Sequence, residues 1–88
     1  MELHFAYMVR CSDHSLYSGY TKGNSPQHRV DTHNKGIGSK YTRTRLPVKL
    51  VYFEQFQSKS EAMKREYQLK KLTKVKKEKL VDEFGLET

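Results

Sequence analysis

Between residues 3 and 11 the side chains alternate, with Leu3, Phe5, Tyr7, Val9 and Cys11 on one face and His4, Ala6, Met8 and Arg10 on the other. A period of two without Gly or Pro predicts a β-strand, and Ala6 and Met8 on the second face predict that both faces are partly covered. Ser12, Asp13, His14 and Ser15 then form a turn cluster, because Asp and Ser side chains bond to nearby backbone groups. Residues 16–21 read as a second strand, and the pair as a hairpin. Residues 48–56 are rich in Val, Tyr and Phe, with Val48, Leu50, Tyr52 and Phe56 on one face and Val51 and Phe53 on the other. They read as the central strand.

Helix signals fill the intervals. Asn24, Ser25 and Pro26 supply a polar cap and a proline at the first helical position, and Gly36 can close the helix in a left-handed conformation, which predicts a helix over 26–34. Val30 is its only aliphatic residue, and Arg29 and His33, four apart, share a face. Residues 35–47 mix glycine, hydroxyls and cations and read as a loop able to contact phosphate. Ser58 and Glu61 form a capping box opening a helix to residue 72, and Thr73 caps a final helix over 74–84 that Gly85 ends. On a wheel of about 100° per residue with Ala62 at zero, Leu69 falls near −20°, Glu66 near 40°, Lys70 near 80°, Met63 near 100° and Tyr67 near 140°. Glu66 therefore lies inside an apolar stripe, where a carboxylate is costly unless it is paired, hydrogen-bonded, protonated or bound to a metal. Glu61 has the capping role already. Lys70 can snorkel out of the stripe, and an ion pair between Glu66 and Lys70 at i+4 is the structural explanation to set against a functional one.

Composition narrows the class. The chain has 88 residues, of which 35% are in the hydrophobic class, with one Cys and no Trp. That length fits a single domain over residues 1–88 with a small core, much of it built from Tyr and Phe. No run approaches the roughly 18–20 apolar residues of a membrane span, and the first residues lack a basic and an apolar leader region, so a cytoplasmic protein with no membrane partner is expected. A single thiol excludes an internal disulfide framework and CxxC-type zinc sites, and Cys11 reads as a small buried hydrophobe. The four His show no metal-ligand spacing.

Charge adds a direction. Lys and Arg number 17 against 10 Asp and Glu, a formal net charge of +7. The excess is concentrated: residues 57–80 hold nine Lys/Arg against three Glu, and residues 35–49 hold five against no acid. Such clustering suits a polyanion such as nucleic acid, with a solvated Lys-rich surface as the plain alternative. Lys40, Tyr41, Arg43, Arg45, Lys70, Lys71 and Lys74 are the candidate nucleic-acid contacts.

Taken with Tyr7 and Tyr17, these features resemble the GIY-YIG nuclease superfamily, most closely its small stand-alone UPF0213-type members related to the Slx1 nuclease domain. Phe5, Ala6 and Tyr7 stand where the first triplet would be, and Tyr17, Ser18 and Gly19 where the second would be. Arg29 with His33 is similar to the family's first-helix pair, Glu66 to its metal-binding Glu, and Lys40 to Thr42 and Leu50 to Tyr52 also look like family segments. The resemblance covers residues 3–80. It implies an α/β (α+β) fold, a three-stranded antiparallel sheet flanked by helices, and a divalent-metal-dependent endonuclease that hydrolyses phosphodiester bonds in structured or damaged DNA. It further implies one Mg²⁺ or Mn²⁺ held by Glu66, Arg29 balancing phosphoryl charge, Tyr7 as base or water-orienting group, Tyr17 as its partner and His33 as an accessory. Phe5, Ala6 and Ser18 depart from the family triplets, and no Asn follows Glu66. The resemblance also implies that family nucleases usually carry a separate DNA-binding domain or partner subunit; 88 residues are expected to leave no room for such a domain, so specificity is expected from the basic surface, from DNA shape or from a protein partner. The expected partner is nucleic acid, DNA ahead of RNA; the alternatives to an endonuclease are a non-catalytic nucleic-acid-binding module on the same scaffold and a protein-interaction adaptor in which Glu66 is only an ion pair.

Overall fold

A computed structural model describes residues 2–87. The first alternating run forms β1 (Leu3–Arg10), the middle of a three-stranded antiparallel sheet in which β2 (Leu16–Gly23) lies on one side and β3 (Lys49–Phe56) on the other. Phe5 to Val9 are all buried, because helices cover both faces of the strand. On one face Ala6 and Met8 pack with Leu16, Val51, Tyr52, Leu69 and Val81, and on the other Tyr7 and Val9 pack with Cys11, Val30 and Val48. β1 is thus the wall between two small cores, and β3 is an edge rather than the expected centre. The physical reason is side-chain chemistry: β3 exposes Lys49 and Gln55, the polar trimming that keeps an open edge from pairing with another chain.

β3 also carries a bulge. Met8 pairs with Tyr52 but Val9 with Leu50, so Val51 is an extra residue. Val51, Tyr52 and Phe56 consequently face one core, while Val48, Leu50 and Phe53 face the other. The strict alternation expected for residues 48–56 fails at this point.

The helices follow their local signals closely. α1 (Gln27–Asn34) buries Val30 and His33, and its last residue clamps the start of β3: the Asn34 amide donates to the Val48 carbonyl at 3.0 Å and accepts from the Val48 N–H at 2.7 Å. Within the expected loop a single turn forms, α2 (Lys40–Arg43), because the Ser39 hydroxyl accepts from the Thr42 N–H and caps it. α3 (Lys59–Lys71) is capped by Ser58, which accepts from the Glu61 N–H; its hydroxyl donates to the Glu61 carboxylate. α4 (Lys74–Phe84) is capped by Thr73 and ends at Gly85 in a left-handed conformation. Across α3 the buried stripe is narrower than the wheel implies. Ala62 and Leu69 lie against the sheet, whereas Met63 and Tyr67 are 47% and 57% exposed. Burying Leu69 contributes about 2–3 kcal/mol. No helix among the described residues is long and apolar enough to cross a membrane.

Candidate active site

Tyr7 pairs with Gly19 across the β1–β2 ladder, and Tyr17 pairs with Val9 two residues along. A side chain at 19 would collide with the Tyr7 phenol, whose oxygen lies 2.5 Å from the position of a Cβ there. The hydroxyl is thereby directed across β2 to α1, where His33 Nε2 meets it at 2.8 Å. His33 is fully buried, and the Tyr17 ring meets its imidazole edge-on at 5.5 Å between centroids. Its other nitrogen, Nδ1, is 2.9 Å from Thr42 Oγ1. The Thr42 hydroxyl in turn donates to the Ser39 carbonyl at 3.4 Å. Thr42 Oγ1 also lies 2.9 Å from Ser39 Oγ; with the single Thr42 proton given to Ser39, its oxygen accepts from Nδ1–H and Nε2 is left as the acceptor for the Tyr7 hydroxyl. Gly38 allows this approach, since a Cβ there would be 2.1 Å from His33 Nδ1.

Arg29, one turn before His33 on α1, donates to the Gly38 carbonyl at 2.9 Å. Burial pushes the Tyr7 hydroxyl up to about 12; the Arg29 guanidinium opposes that rise, and the charges of Tyr17 and Glu66 add to it. Burial, then the Arg29 charge, holds the His33 imidazole below its ordinary range. At neutral pH both partners of the Tyr7–His33 bond are uncharged.

Glu66, on α3, is near enough for its charge to act on the Tyr7 hydroxyl. Its side chain is only 18% exposed, and it pairs with Lys70 at 2.9 Å. No group of three or more His, Cys, Asp and Glu side chains that could cage a metal occurs among the described residues. One partly exposed carboxylate instead suits a hard divalent cation, which keeps most of its waters and takes its remaining ligands from substrate phosphate. Glu66 fits that role.

The seven expected nucleic-acid contacts divide by what holds them. Tyr41 stacks on Tyr17 with 5.7 Å between centroids, and the Arg45 guanidinium lies 3.9 Å from the Tyr41 ring centre while also pairing with Asp13 at 3.0 Å. Lys71 lies over the Tyr67 ring, and Lys74 pairs with Glu78 and donates to the His14 carbonyl. Lys70 is engaged by Glu66. Lys40 and Arg43 make no ion pair or side-chain hydrogen bond among the described residues. Sequence reasoning did not single out Ser39, Gly38 or the role of Thr42; the available signal was a hydroxyl-rich segment following a Gly pair.

Tyr7 and Tyr17 on adjacent strands, Arg29 and His33 on α1 and Glu66 on α3 all lie within a stretch that matches a known catalytic domain. Residues 3–79 match the GIY-YIG catalytic domain. The chain is 53% identical over 83 residues to a UPF0213 protein of Staphylococcus aureus (strain Mu3), covering 94% of this chain and 99% of the relative. Among solved structures it is similar to the UPF0213 protein BH0048 from Bacillus halodurans, with 43% identity, a TM-score of 0.59 and coverage of 97% of this chain and 89% of that one. It is also similar to the protein EF2693 from E. faecalis, with 42% identity, a TM-score of 0.57 and coverage of 98% and 90%. The chain therefore belongs to the GIY-YIG family and, within it, to the UPF0213 proteins.

Proposed function

We propose that the protein is a divalent-metal-dependent endonuclease that hydrolyses phosphodiester bonds in structured or damaged DNA, acting in the cytoplasm as one domain, with Tyr7, Tyr17, Arg29, His33 and Glu66 as its catalytic set. The observation that carries this reading is the continuous chain from the Tyr7 hydroxyl through His33 to Thr42, with Arg29 and Glu66 near enough for their charges to act on Tyr7. A phenol held near pKa 12 is not a tyrosinate at neutral pH, so Tyr7 acts as a relay. Its oxygen takes a proton from the attacking water as its own proton passes to His33 Nε2. The imidazolium so formed keeps its Nδ1–H on Thr42. Tyr17 walls one side of the imidazole, and Arg29 offsets the charge that accumulates on the phosphoryl oxygens. Glu66 would hold Mg²⁺ or Mn²⁺, which supplies Lewis-acid stabilisation of the leaving oxygen when bound. The basic segment 35–49 and the cations of α3 and α4 hold the nucleic-acid backbone, with DNA shape or a protein partner selecting the target.

The test is cleavage of labelled single-stranded, duplex, flap and branched DNA, and of RNA, with Mg²⁺ or Mn²⁺, comparing wild type with Glu66→Ala. Metal-dependent products lost in the variant support the reading. Undiminished cleavage by Glu66→Ala removes the assignment, and salt-sensitive binding without cleavage under every condition favours a non-catalytic binding module.

A further inference from the structure

Ile37, in the loop between α1 and α2, is 73% exposed. A lone exposed aliphatic side chain carries no meaning by itself. Its setting does. It stands between Gly36, at φ +83°, and Gly38. The Gly36 N–H donates to the His33 carbonyl at 2.9 Å, and the Gly38 carbonyl accepts from Arg29 at 2.9 Å. Hydrogen bonds on both sides therefore fix Ile37 relative to His33 and Arg29. Beside it lies a shallow cavity of about 230 Å³ lined by Gly36, Ile37, Ser39, Lys40 and Arg43. No acid lines it, and Lys40 and Arg43 are the two cations without side-chain partners noted above.

Two cations and an aliphatic wall in one cavity match a nucleotide unit: phosphate between Lys40 and Arg43, sugar and base against Ile37. A free anion would need no apolar wall, and an apolar peptide no pair of cations. Resting on the nuclease reading above, we infer that Ile37 is a wedge that enters the base stack beside the scissile phosphate. An apolar wedge must unstack the bases it enters, and at a nick or bulge that stacking is already broken. Nucleic acids with interrupted stacking are accordingly the preferred substrate class over continuous duplex.

The experiment uses the full chain without metal and DNA carrying 2-aminopurine next to a single-base bulge or a nick, compared with continuous duplex. Wild type is expected to raise the 2-aminopurine emission and to prefer the interrupted substrates. Ile37→Ser is expected to lose the emission change and to lower the bulged-to-continuous affinity ratio by about tenfold, the scale of one aliphatic side chain's burial. Ile37→Leu retains both. The thermal midpoint of Ile37→Ser reports that the exposed position leaves the fold intact. An Ile37→Ser protein with wild-type emission change and affinity ratio overturns the wedge. These readouts need no cleavage, so a protein that never cuts would overturn the nuclease reading while the emission change still decides the role of Ile37.

Discussion

Gly19 stands directly across from Tyr7 in the β1–β2 ladder, and the phenol fills the space that a side chain at 19 would need. Even one methyl there has to move the Tyr7 ring or the strand, since it would lie 2.5 Å from the hydroxyl oxygen and 2.6 Å from Cζ. Gly19→Ala is expected to cost about 1–3 kcal/mol through overpacking. It should also break the Tyr7–His33 bond and with it most cleavage. Thermal melts and cleavage rates check the two parts separately, and a variant that cuts at the wild-type rate would show that the close approach is not needed for activity.

Thr42 holds the proton pattern of His33 through Nδ1. Thr42→Val keeps the shape but leaves the buried Nδ1–H without an acceptor, a loss of about 1–3 kcal/mol. The imidazole is then free to place its proton on Nε2, the wrong nitrogen for receiving one from Tyr7. Nitrogen-15 NMR of His33 should report the tautomer change, and cleavage should fall with it; an unchanged tautomer would place its control elsewhere.

Lys70 competes with any cation for the Glu66 carboxylate. Lys70→Met is expected to strengthen Mn²⁺ binding, read as a larger rise in thermal midpoint at a given Mn²⁺ concentration in the absence of DNA. Without metal the stability change should be only a few tenths of a kcal/mol, because the pair is an i,i+4 contact with a half-exposed lysine. Equal Mn²⁺ responses in the two proteins would count against Glu66 as the ligand.

Acid should lower the stability of the protein in two steps. The folded His33 resists protonation, so below its ordinary 6.5 the unfolded chain binds a proton that the folded chain does not. Stability is full above that value and falls as pH drops through the lower folded value. Glu78, held down to about 2 mainly by Arg10, contributes stability that is complete above 4.5 and lost between 4.5 and about 2. Urea titrations from pH 8 to 2 should show both declines, and His33→Asn should remove the first and keep the second.

Leu69 links α3 to the core shared by Ala6, Met8 and Val81. Leu69→Ala is expected to cost about 2–5 kcal/mol, according to how far the site collapses. Chemical denaturation gives the number directly, and a loss under 1 kcal/mol would mean that α3 is anchored elsewhere.

What the chain reveals by itself is mainly local. The hairpin, the Ser58 and Thr73 caps and the stop at Gly85 could be read because each depends on a few adjacent residues. The position of β3 could not, since choosing between edge and centre requires knowing what covers each face of β1. The bulge at Val51 was hidden for a related reason: register belongs to the partner strand as much as to the sequence. On α3 the wheel grouped Met63 and Tyr67 with Ala62, yet the helix rests on β1 and β2 through one narrow side. Those two side chains therefore point away from the sheet. Within the site, Glu66 was conspicuous as a carboxylate among apolar positions. Thr42 and Ser39 were not, because a hydroxyl in a polar loop has no local reason to be buried against a histidine.

The separation of the core into two halves by β1 has a consequence for control. Tyr7 and His33 belong to one half, and Glu66 rides on a helix anchored in the other, so the proposed catalytic set straddles the joint between them. Opening of either half, well short of global unfolding, would pull the constellation apart. Amide hydrogen exchange in α3 then becomes a direct gauge of how often the proposed catalytic set is dispersed while the chain is still folded.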